Sequence, residues 1–238
     1  MRHSIAIGVV VAAIALHHSA YAAGTAYGVD TAEVNDPGNC KVEAWTSWAD
    51  NRDGLVTANP ACVVNIITPT EISAQITRAR SGDDWSTSIT PKAKAKLVPS
   101  SIGSFGFSLA AGASYDATSH ELTSIFATIP ATLRLSETVR INVNAGWLLD
   151  KTSDRHFATY GVGLDWRLTE TVTFTAETFG QAGQTEPDAE ATTRPRFQTG
   201  LRYRPIDRLS FDVIYGHNIT GESANWITIG TTVRFPAE

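Results

Sequence analysis

The chain has 238 residues, a formal net charge of −5 and two cysteines. That acidic balance excludes a general nucleic-acid binder, whose affinity rests on cationic contacts to phosphate. Beyond residue 22 no apolar run reaches the roughly 20 residues that a membrane-spanning helix needs, and no Cys/His spacing suggests a metal site.

The first element is a leader. Arg2 and His3 begin it, Ile5 to Leu16 form a continuous apolar run, and Ser19-Ala20-Tyr21-Ala22 ends it. A basic start, an apolar centre too short to span a bilayer and a small-residue A-x-A site define a secretory signal peptide at residues 1–22. Cleavage after Ala22 removes Arg2 and takes the net charge from −5 to −6. Residues 23–39 lack periodicity and are expected to form a loose periplasmic lead-in, with folding into the periplasmic mouth as the other option.

From about residue 40 the sequence repeats one unit, a run of roughly ten residues in which apolar and polar side chains alternate. In the run 104–115, Phe105, Phe107, Leu109, Ala111, Ala113 and Tyr115 share one face, while Ser104, Gly106, Ser108, Gly112 and Ser114 share the other. The runs 139–150 and 158–168 read the same way, with Leu148 the one apolar exception on the polar face of the former. Polar faces of Gly, Ser, Thr and Asn suit a watery or tightly filled lumen, and Tyr115, Trp147, Tyr160, Trp166 and Tyr203 suit an aromatic girdle. The pattern predicts an all-β chain: an antiparallel up-and-down transmembrane barrel over 40–235 with a tail at 236–238. Twelve strands are expected near 41–50, 57–67, 70–80, 86–97, 103–115, 121–135, 138–150, 156–168, 170–180, 192–205, 208–217 and 225–235. Ten or fourteen are the alternatives. The connectors alternate between tight turns, such as 68–70 and 168–171, and longer polar loops, such as 116–120 and 181–191. That alternation puts both chain ends in the periplasm of a Gram-negative cell and the barrel in its outer membrane.

In an exported chain Cys40 and Cys62 are free to pair, and a turn near 51–54 would bring them almost opposite each other, bracing the first hairpin.

The last run, Trp226 to Phe235, resembles the terminal signal by which the barrel assembly machinery recognises outer-membrane barrels, although Pro236-Ala237-Glu238 follow its Phe235. The stretches 91–97, 160–180, 200–216 and 226–235 resemble the outer-membrane transporter family known as the MetA-pathway of phenol degradation. The resemblance implies a pore for small solutes, aromatic ones included.

Charge sorted by face is the most informative pattern. Lys92, Lys94 and Lys96 share the polar face of the fourth strand, and Arg194, Arg196, Arg202 and Arg204 that of the tenth. Arg134, Arg140 and Arg167 lie on polar faces near the periplasmic turns, whereas the proposed outer loops are acidic. A lumen lined by one sign of charge favours counter-ions, so these ten residues are expected to set selectivity for small polar or anionic solutes. The alternative is a closed structural or surface barrel in which Glu43, Glu71, Asp165, Glu177 and Asp212 neutralise them across strands. A third reading, a lipid-acting hydrolase, would use His120, His156 or His217 at the outer strand ends. No residue is assigned a catalytic role, and no cofactor or metal is expected. The expected partners are membrane lipid and lipopolysaccharide, the assembly machinery and a small solute.

Overall fold

The structure, a computed structural model, describes residues 26–184, 191–221 and 223–236. The leader, Ala23 to Thr25, Glu186, Asp188, Glu190, Glu222, Ala237 and Glu238 lie outside them.

Twelve long strands follow one another in chain order. The first six are β1 (Asn39–Ala49), β2 (Gly54–Asn65), β3 (Pro69–Ser81), β4 (Asp84–Val98), β5 (Phe105–Asp116) and β6 (Glu121–Arg134). The rest are β7 (Val139–Asp150), β8 (Arg155–Arg167), β9 (Val172–Gly183), β10 (Arg196–Ile206), β11 (Leu209–Asn218) and β12 (Asn225–Pro236). A two-residue ladder, Thr192–Thr193, pairs with the end of β9 and prolongs the β10 side of that pairing. Each strand is antiparallel to both neighbours, and β12 pairs with β1, so the sheet closes into a twelve-strand barrel. Closure satisfies every ladder and leaves no open edge, the condition for strands to cross lipid.

The barrel is apolar outside and polar inside. Leu109, Val143, Val162 and Ile227 are exposed on the outer face, whereas Ser108, Ser124, Thr132 and Ser210 are wholly buried on the inner one. Two outward girdles of aromatics bracket the band. Phe105, Trp166, Tyr203, Phe211 and Phe235 stand toward the rim that bears the chain ends (the terminal rim), and Trp48, Trp85, Tyr115, Trp147 and Tyr215 stand toward the far rim. Tyr160 is half-buried at mid-strand and belongs to neither.

The loop lengths differ from expectation. On the far rim the connectors 50–53, 82–83, 117–120 and 151–154 are as tight as most of those on the terminal rim, 219–224 matches the terminal rim's 99–104 in length, and only 184–195 is longer. Their polar residues cap turns. The Asp116 carboxylate accepts from the backbone N–H of Thr118 (2.7 Å) and Ser119 (3.1 Å), and Asp150 does the same for Thr152 and Ser153. Arg52, His120 and Asp154 take the left-handed backbone that such turns require.

A larger departure concerns the lead-in expected to be loose. Residues 26–34 run inside the barrel, with Tyr27, Val29, Asp30, Ala32 and Val34 buried. Gly38 N–H donates to the Val63 carbonyl at 2.9 Å, tying the segment to the terminal rim where it joins β1.

The seam between β1 and β12 is pinned at the far rim by Asp50. Its carboxylate accepts the Asn225 side-chain amide at 2.7 Å and backbone N–H at 3.1 Å. The side-chain bond first, then the backbone one, holds the carboxyl below its usual range. This contribution is therefore present at neutral pH and lost as acid protonates the group.

Cys40 and Cys62 are register partners and form a disulfide across β1 and β2. It closes a chain separation of 22 residues, for which loop entropy allows about 3 kcal/mol. A Cys40→Ala/Cys62→Ala double variant should fold into the same barrel and lose its heat-resistant gel mobility at a lower temperature, without loss of the barrel's circular-dichroism spectrum.

Candidate functional site in the barrel lumen

Period two puts Lys92 and Lys94 on successive inward positions of β4, and Arg196, Gln198 and Arg202 on inward positions of β10. These strands stand six apart around the ring of twelve, on opposite walls. Residues 26–34 bridge them. Asp30 meets the β4 wall, and Tyr27, three residues away, meets the β10–β11 wall. Three extended residues reach about 10 Å at most, so a short stretch of chain crosses the middle of the lumen.

The wall holds the crossing segment by its backbone as well as its side chains. Glu177 accepts from the N–H groups of Gly28 and Val29 (3.2 Å for Val29). Asn144 clasps Asp30 twice, accepting its N–H and donating to its carbonyl, both at 2.7 Å. Ala32 N–H donates to Thr132 Oγ1 at 2.9 Å, and Ser108 Oγ donates to the Ala32 carbonyl at 2.5 Å. Away from secondary structure a buried backbone needs such partners. The Ser, Thr and Asn of the inner faces supply them.

The charges converge on two carboxylates of the segment. Asp30 lies between the ammonium groups of Lys94 (2.8 Å) and Lys92 (3.1 Å), all three side chains at most 7% exposed. Glu33 binds the guanidinium groups of Arg134 and Arg140 (2.7 Å for Arg140). Arg140 also binds Asp165 at 2.6 Å on the neighbouring strand, and Arg202 binds Asp212 at 2.8 Å while its guanidinium lies 5.1 Å above the Tyr27 ring. Tyr27 Oη donates to Asp212 at 3.1 Å.

Five of the ten selected cations are thus gathered around residues 27–33. The others are not. Arg167 donates to the Glu137 carbonyl at the rim, and Lys96, Arg194, Arg196 and Arg204 make no side-chain hydrogen bond or ion pair to the described residues. Lys41, absent from the expected set, bridges Glu43 (3.4 Å) and Glu71 (3.2 Å). Its inward parity on β1, shared with Glu43, was the signal for it in the sequence.

Small residues make room for the crossing. A Cβ added at Gly161 or Gly163 would meet the Val29 side chain at 2.9 Å and 3.4 Å, and one at Gly28 would lie 2.5 Å from the Phe179 ring. A gap between Ala26, Glu43, Trp45, Arg202 and Asp212 has a volume of about 10 Å³, room for about one water. Toward the far rim the inner face carries an apolar pair, Leu148 and Phe157, which face each other across β7 and β8 and are both buried, on a face that also carries hydrogen-bonded Thr57, Thr77, Thr90 and Ser114. Residues 26–34 occupy the lumen at the level of Lys92, Lys94, Asn144 and Glu177.

The three histidines stand apart from one another on the outer strand ends. His120 contacts Tyr115 Oη (3.4 Å), His156 accepts from Trp147 Nε1 (3.1 Å) and stacks on its ring, and His217 contacts Asn225 (2.9 Å). Among the described residues no hydrogen bond joins a histidine to a serine, and no three His, Cys, Asp or Glu residues cluster as metal ligands.

The fold is that of outer-membrane porins. The chain belongs to the family described as uncharacterised conserved protein UCP029691, whose model matches residues 11–235. No curated protein matches the sequence. Among solved structures, the KdgM porin in complex with disordered oligogalacturonate is similar, at 10% identity and a TM-score of 0.63, over 82% of this chain and 99% of that one. The NanC porin has a TM-score of 0.65 at 7% identity, over 81% and 98%. The COG4313 outer-membrane channel of Pseudomonas putida F1 has a TM-score of 0.58 at 11% identity, over 87% and 100%.

Removing one member of a buried charge cluster strands the others, at about 3–5 kcal/mol. Asp30→Ala should therefore undock residues 26–34. Backbone amides of residues 28–33 should lose protection in hydrogen exchange while strand amides of β4 and β9 keep theirs.

Proposed function

We propose that the chain is an outer-membrane pore for small polar or anionic solutes, held shut in the described state by residues 26–34. One observation carries the reading: basic side chains of the lumen wall already ligate an acidic chain, through Asp30 and Glu33. A wall that binds carboxylates in a filled lumen has the chemistry to attract them into an open one. The likeness to the KdgM porin, solved with oligogalacturonate, supports passage of acidic solutes, and the resemblance to the phenol-degradation transporters supports small ones. On this reading Lys92, Lys94, Lys96, Arg134, Arg140, Arg167, Arg194, Arg196, Arg202 and Arg204 set selectivity, and none does chemistry. The terminal rim faces the periplasm, the girdles meet lipid and lipopolysaccharide, and Phe235, outward on the strand that closes the barrel, serves the assembly machinery.

A second reading, a closed structural barrel, draws on the filled lumen and its gap of about 10 Å³. Single-channel recording in planar bilayers under a KCl gradient separates the two. The Asp30→Asn/Glu33→Gln variant should open more often than the wild type, with a reversal potential on the anion side. Adding Lys92→Ala and Lys94→Ala should move that potential toward zero selectivity. Silence from both proteins, folded by their gel mobility, would replace the pore with the closed barrel.

A further inference from the structure

We propose that residues 26–34 are an internal ligand, seated in a two-part carboxylate site that a multi-carboxylate solute takes by displacing them. The inference deepens the pore reading and rests on it for the biological role of the site.

The first part of the site is Lys92 and Lys94 with Asn144, all at most 7% exposed and all aimed at Asp30. The second is the pair Arg134 and Arg140, at the half-exposed Glu33. Two planar guanidinium groups on one carboxylate form an arrangement suited to a carboxylate rather than to a neutral group. The two parts lie three residues apart along the segment, so one flexible molecule with several carboxylates can engage both. A single carboxylate engages only one.

The segment joins the barrel wall at the terminal rim, where it continues into β1 at Gly38. On the expected cleavage after Ala22, Ala23, Gly24 and Thr25 precede Ala26. Residues 26–34 also form no helix and no strand. Release breaks side-chain contacts and leaves the barrel ladder whole.

The structure supplies a means of locking it. The Val29 Cβ stands 3.4 Å from the Cβ position of a side chain at Gly163. Disulfides span Cβ–Cβ distances of about 3.5–4.5 Å, so a Val29→Cys/Gly163→Cys variant should cross-link.

Two measurements on the full chain test the proposal. In the first, hydrogen exchange of amides 28–33 is followed in the wild type with citrate, against acetate at matched ionic strength. Citrate should speed exchange about ten-fold and acetate should not, since screening is equal in the two. Equal rates in citrate and acetate would overturn the proposal. In the second, the cysteine pair is recorded in bilayers oxidised and reduced, beside wild type in the same reductant, which also opens Cys40–Cys62. Current only after reduction supports displacement. Equal current in both states would overturn it while leaving the pore intact. Silence in both states, with citrate still speeding exchange, would overturn the pore reading and support the carboxylate site alone.

Discussion

Two lysines on successive inward positions of one strand have Cα atoms about 7 Å apart along it and bring both ammonium groups into a wall that water scarcely reaches. Across β4 the register places Ser73 and Gly112 beside Lys92, and Glu71 and Ala110 beside Lys94. Glu71 is already bound to Lys41. The wall is therefore short of a carboxylate at that level, and Asp30 supplies it from outside the sheet. The rest of the lumen follows from that placement. Once Asp30 is seated, Asn144 grips its backbone, Glu33 falls among the arginines of β6 and β7, and Tyr27 reaches the far wall.

The barrel was legible because the side-chain period of a strand and the two-sided environment of a membrane wall coincide. Phe105, Phe107 and Leu109 alternate with Gly106 and Ser108 for one reason, and the structure exposes the first set and buries the second. Strand number followed from counting such runs. Loop length did not, because Asp116 and Asp150 are polar for the sake of capping a tight turn, and polarity alone does not separate that role from a long loop. The inward parity of Lys92 and Lys94 on β4 and of Arg196 and Arg202 on β10 was legible. Their partners were only half legible. Asp165 and Asp212 do pair across strands, but Lys92 and Lys94 turn to a residue more than sixty positions away in a stretch with no period at all.

Residues 26–34 are hard to read because they obey none of the repeating rules. Their hydrogen bonds go to wall side chains rather than to a ladder or a helix, so no spacing announces them. A signal was nonetheless present on the wall. Gly161 and Gly163 leave a bare strip on the inner face of β8, and a filled lumen must put something against it. Val29 occupies that strip. Two of the three acids in the lead-in, Asp30 and Glu33, were the complementary sign to Lys92, Lys94, Arg134 and Arg140.

Tethering changes what such a segment does. A ligand joined to its own receptor by a short linker acts at an effective concentration on the order of millimolar, whatever the protein concentration outside. Each of its contacts can then be modest and the site still be filled. A free solute displaces it only by binding more tightly than the segment or by being abundant, and a solute with several carboxylates gains on both parts of the site at once. A small neutral molecule gains on neither. In the pore proposed above, the wall that admits the segment would thereby be biased against solutes unlike it, and the selectivity of the opening would be set by what the closed state already holds.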